Sequence, residues 1–81
     1  MEREEILATV ESIFAKVLKK NDLKMNDETT ANDVDGWDSM SNMIVIAEIE
    51  RHFGIRLKLR EIIKMKNVGA LCDVIKEKTS R

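Results

Sequence analysis

The residues best placed to do chemistry in this chain are Asp38 and Ser39, within Gly36-Trp37-Asp38-Ser39. They stand where a polar stretch gives way to a strongly apolar one, Met40 to Phe53. An Asp-Ser pair immediately ahead of such a segment places a hydroxyl at a helix N-terminus. There the unpaired backbone N–H groups and the positive end of the helix dipole favour a phosphate. Taken alone, the pair is also an ordinary helix start, since Asp and Ser are common N-caps. The rest of the chain has to separate these readings.

Other reactive residues are poorly placed. His52 is the only histidine, follows Arg51, and has no Cys, Asp or second His at ligand spacing. No zinc or other metal site is expected from it, and no Ser-His-acid or Cys-His set assembles around it. There is no glycine-rich phosphate loop. The acids of Glu4-Glu5 and of Glu48 and Glu50 fall on helix surfaces, where solvation is the default. Cys72, the only cysteine, lies on an apolar helix face and reads as a small core residue. A well-placed serine without a general base suits the substrate of another enzyme better than an enzyme.

The elements that position Ser39 follow from apolar spacing. Glu2 to Lys20 is predicted as a first helix, with Ile6, Val10, Ile13, Phe14, Val17 and Leu18 in one stripe. Asn21-Asp22 should end it. Leu23 to Trp37 is a long connection rich in Asn, Asp and Thr, with Leu23, Met25, Ala31, Val34 and Trp37 as apolar anchors. A second helix runs from Ser39 to about Phe53 and stops at Gly54. Arg60 to Met65 is predicted as a short third helix with no acidic or hydroxyl residue ahead of it, hence weak and mobile. Gly54 to Leu59 is an extended link with Ile55 and Leu57 inward. Asn67 caps a fourth helix, Val68 to about Thr79, with Val68, Leu71, Cys72 and Ile75 on its inner side. The fold class is all-α: one four-helix bundle over residues 1–81, with a long first loop and a short third helix.

The second helix is apolar on two sides. Val45, Ile46, Ile49 and Phe53 share a core face that also carries Asn42. Met40, Met43, Ile44 and Ala47 cluster on roughly the opposite side. An 81-residue domain can hardly surround a helix, so this second stripe reads as a docking surface beside Ser39, unless loop residues cover it. Methionines suit a surface that accepts several partners.

Composition limits the function classes further. With 43% hydrophobic and 36% charged residues, no Pro and three Gly, the chain suits a compact helical domain. No stretch approaches the roughly 20 apolar residues of a membrane span. The acidic start, Glu2 to Glu5, argues against a secretory signal. A lone cysteine allows no internal disulfide and fits a cytoplasmic setting. Residues 1–38 hold five Lys/Arg against ten Asp/Glu, and residues 39–81 nine against five. The positive charge gathers from Arg56 to Lys66, most simply a solvated face. Net negative charge and a single tryptophan argue against nucleic acid as a partner.

Together these features resemble the acyl carrier protein family in the broad sense that includes peptidyl carriers. The family's Asp-Ser-Leu marker reads here Asp38-Ser39-Met40. Its Glu-x-x-Phe-Gly helix end reads Glu50-Arg51-His52-Phe53-Gly54, followed by Ile55-Arg56-Leu57 and Asn67-Val68. The resemblance covers nearly the whole chain. It implies a phosphopantetheine arm on Ser39, transferred from coenzyme A by a phosphopantetheinyl transferase that Asp38 helps to engage. The arm would hold an acyl or aminoacyl thioester for acyl-loading and acyl-transfer enzymes docking on Met40, Met43, Ile44, Ala47 and Arg51. A monomer is implied, with cargo sheltered between the second and third helices. The chain departs from members serving fatty acid synthesis: Ile44, Arg51 and His52 replace acids, and the third-helix region is basic. These departures point to a specialised biosynthetic pathway. The alternative is a non-carrier helical interaction domain using the Met40/Met43/Ile44/Ala47 stripe.

Overall fold

The computed structural model describes residues 2–80. Four α-helices carry the fold: α1 (Arg3–Leu18), α2 (Ser39–Phe53), α3 (Leu59–Lys64) and α4 (Val68–Thr79), with a single 3-10 turn at Ala31–Asp33. Among the described residues all regular structure is helical, as the apolar spacing predicts. None of the described helices is long and apolar enough to cross a membrane.

Helix α1 packs against both α2 and α4. Ile6, Val10 and Phe14, four residues apart on one face, are fully buried. Ile13, Val17 and Leu18 pack partly buried against them. The helix ends two residues sooner than Lys20. Lys19 adopts the left-handed conformation (φ 57°), and the Lys20 N–H donates back to the Ala15 carbonyl at 2.9 Å. The stop is therefore a backbone reversal at a lysine, a place more often held by glycine, and not the Asn21-Asp22 pair.

The long connection is pinned by its own side chains. Met25 and Val34 are buried, and Leu23 and Trp37 partly so. Ala31 is the exception among the expected anchors: it opens the 3-10 turn and stays exposed. Buried Thr29 takes an unforeseen part, its hydroxyl accepting the Asn26 N–H at 2.9 Å. Two backbone bonds join this loop to α4: Val68 N–H to Thr29 O at 2.9 Å and Gly69 N–H to Asp27 O at 2.8 Å. Glu11 of α1 accepts the Met25 N–H at 2.8 Å.

Helix α2 has the predicted bounds, with Gly54 in the left-handed conformation (φ 66°) as its stop. Val45, Ile46 and Ile49 are buried. Helix α4 also matches: Asn67 Oδ1 accepts the Ala70 N–H at 2.8 Å, and Val68, Leu71, Cys72 and Ile75 are buried. Leu57 in the extended link is buried, and its N–H donates to Glu50 at 2.8 Å.

Helix α3 begins and ends one residue earlier than expected, and its start is not uncapped. Glu61, in its own first turn, reaches back to accept the Lys58 N–H at 2.8 Å and lies 3.3 Å from the Lys78 ammonium. This is the reverse half of a capping box, supplied from inside the helix instead of ahead of it. Even so, α3 buries none of its residues, and Leu59 and Ile63 are largely exposed.

Candidate functional site

The Asp-Ser pair is built by a turn, a cap and an anchor. Gly36 takes a positive φ of 88°, which turns the chain toward α2. Asp38 is the extended N-cap, and its carboxylate accepts the Ser41 N–H at 2.9 Å. The Ser41 hydroxyl answers by accepting the Asp38 N–H at 2.9 Å and donating to the Gly36 carbonyl at 2.6 Å. Ser41 thus fills the place that Glu or Gln usually takes in a capping box. Trp37 anchors the turn: its ring meets Phe14 edge-on at 4.6 Å, and its indole N–H donates to Asn42 Oδ1 at 2.9 Å. Trp37 is therefore half-buried structural support, in line with its place among the apolar anchors of the loop.

These bonds separate the two nearby serines. The Ser41 hydroxyl is fully engaged. Ser39, the first residue of α2, is exposed, and among the described residues none bonds to its hydroxyl. The Asp38 carboxyl is held below its ordinary range, chiefly by the Ser41 N–H, against a smaller opposing effect of burial. It stays ionised beside Ser39 near neutral pH.

An open cleft of about 220 Å³ adjoins Ser39, bounded by Trp37 and Asn42 on one side and by Met65 and Lys66 on the other. In the sequence Lys66 closes the basic stretch from Arg56; only the return of the chain between α3 and α4 brings it here. Larger hollows lie elsewhere. One on the α1–α2 side, about 380 Å³, is lined by residues that include Thr9, Ile13, Lys16, Glu48, Arg51 and His52 and is separate from the serine.

The second apolar stripe of α2 is uncovered. Met40 is 78% exposed, Met43 56% and Ile44 52%, and Ala47 is exposed as well. Arg51 lies at the far end of this face, ion-paired with Glu48. Cys72 is buried, and burial pushes its thiol up to about 11, with Arg3 opposing. It is inert core, as expected.

Comparison with known proteins agrees with this arrangement. The family defined by the phosphopantetheine attachment site matches residues 8–75. An acyl carrier protein of Thermotoga maritima is 28% identical over 76 residues, 94% of each chain. The solution structure of a holo acyl carrier protein from Geobacter metallireducens superposes with a TM-score of 0.89 at 39% identity, covering 94% of this chain and 87% of that one. The chain belongs to the phosphopantetheine-attachment family and has the acyl carrier fold. It is a carrier protein whose cofactor is covalently attached phosphopantetheine, which decides against the non-carrier alternative.

Proposed function

We propose that residues 1–81 act as one carrier domain whose arm is borne by Ser39. The observation that carries this is the contrast between the exposed, unengaged Ser39 hydroxyl and the fully bonded Ser41 hydroxyl two residues on. The site suits the group. A phosphodiester on Ser39 Oγ would meet the free N–H groups of α2's first turn and the helix dipole, with the open cleft beside it. The arm supplies a terminal thiol for a thioester, and its length raises the local concentration of cargo at partner active sites. In attachment, Ser39 Oγ bonds phosphorus, the phosphoanhydride of coenzyme A breaks, and the nucleotide half leaves. The transferase takes the serine proton. Asp38 shapes the start of α2 and presents an ionised carboxylate to that enzyme. The chain itself contributes no catalysis.

Loading and transfer enzymes dock on Met40, Met43, Ile44 and Ala47, with Arg51 at the margin, by apolar contact more than by charge. This uncovered stripe has no acidic residue, and Arg56, Lys58 and Arg60 follow it. Such a surface fits dedicated partners of a specialised biosynthetic pathway in the cytoplasm, served by a monomeric carrier. Intact-mass measurement after incubation with coenzyme A and a broad-specificity transferase tests the attachment site. The wild type should gain one phosphopantetheine and Ser39→Ala none. The substitution leaves the Asp38–Ser41 cap untouched, so stability should stay within about 0.5 kcal/mol. Full modification of Ser39→Ala would refute the assignment.

A further inference from the structure

A phosphodiester on Ser39 would introduce a second negative charge next to the Asp38 carboxylate, which is itself ionised and held by Ser41. Nothing in the first turn of α2, Ser39 to Asn42, offers a cation to offset it. Among the described residues that line the cleft, Lys66 is the one cation, standing across the opening from Ser39 in the link between α3 and α4. It is exposed, and among the described residues no carboxylate forms an ion pair with it. On the Ser39 side the cleft is also lined by Asn42, whose Oδ1 is taken by the Trp37 indole. That side is therefore fixed, while the ammonium on its four-carbon stem is free to reach.

We propose that the Lys66 ammonium pairs with the phosphodiester on Ser39 and lays the first part of the arm into the cleft between α2 and Met65. This rests on the reading that Ser39 bears the arm, and adds a positioning residue to it. Lysine binds phosphate as a point charge without fixed fork geometry. The pairing is exposed, so it is screened by salt. It directs the arm at low ionic strength and releases it without breaking any other bond of the fold.

The test uses phosphorus NMR on the loaded wild type, Lys66→Arg and Lys66→Gln, each first checked by intact mass. The wild-type phosphodiester resonance should move as NaCl rises from about 0.02 to about 0.5 M, across the range where screening takes hold. Lys66→Arg should follow the same course. Lys66→Gln should begin at the high-salt position and stay there, with its amide spectrum otherwise that of the wild type. A loaded Lys66→Gln protein whose phosphorus resonance and salt response equal the wild type's would overturn the Lys66 assignment and leave Ser39 standing. A wild type that takes up no arm would refute both.

Discussion

Arg3, at the start of α1, donates to Asp73 at 3.1 Å, to both carboxylate oxygens of Asp27 at 3.3 and 3.2 Å, and to the Gly69 carbonyl at 3.1 Å. With the two backbone bonds from α4 to the loop, it fastens three segments at one point. Helix α3 is attached quite differently. It buries no residue and is held at its start by the Glu61 carboxylate, itself about a quarter exposed. One side of the bundle is thus closed by backbone bonds and a multidentate guanidinium, the other by the partly buried Ile62 and Met65 and one solvent-accessible carboxylate. Local opening should be rare in the first region and frequent in the second, because opening costs least where few groups are buried. The Ser39 cleft, whose far wall is Met65 and Lys66, belongs to the yielding side.

The largest effect should come from tightening the fastened side beyond its limit. A Cβ at Gly69 would stand 2.8 Å from the Asp27 carbonyl oxygen and 2.9 Å from Asp27 Cβ. The carbonyl is backbone held by the Gly69 N–H, so no rotamer change relieves the clash. Gly69→Ala should lower stability by about 1–3 kcal/mol in urea unfolding. It should still accept the arm. An unchanged midpoint would show that the loop moves aside freely.

A smaller, local effect is expected from Glu61. Its carboxyl is held below the ordinary range, first by the Lys58 N–H, with burial opposing and Lys78 assisting. Its contribution is therefore complete above the unfolded-state value and is lost as pH falls through the lower folded value. Acid titration followed by NMR should disturb the amides from Lys58 to Lys64 while Glu61 protonates. Glu61→Ala should speed their exchange at neutral pH. If the α1 and α4 amides respond equally, the two regions are not independent.

The smallest stability effect is expected on the α2 stripe. Ile44→Glu changes a half-exposed side chain, so unfolding should shift by no more than about 0.5 kcal/mol. Loading by the native partner enzyme should weaken. A large loss of stability with unchanged loading would place Ile44 in the core's support and remove the stripe from docking.

What the sequence discloses here follows the range of each interaction. The bounds of α2 are legible because Asp38 and Gly54 act within a residue or two of the ends they set. The α4 core face is legible from spacing alone. The Arg3 fastening is not, since Arg3 and Asp73 stand 70 positions apart and nothing local marks either. The Glu61 cap is not legible because capping residues ordinarily stand ahead of a helix, and Glu61 lies inside its own. The Asp38-Ser39 pair stands out in the sequence as a hydroxyl at a helix start, but that Ser41 is engaged while Ser39 stays exposed emerges only with the Gly36 turn. Lys66 reads as one more solvated lysine until the α3–α4 link folds back over the cleft.

Hydrogen exchange on the apo protein and on protein carrying an octanoyl arm puts the contrast between the two regions to its most direct test. Amides from Arg56 to Met65 should exchange faster than those of α1, α2 and α4 in the apo form, and should gain protection on loading as cargo shelters against α3. Uniform protection from Arg56 to Met65, equal to that of α2 and unmoved by loading, would contradict the account.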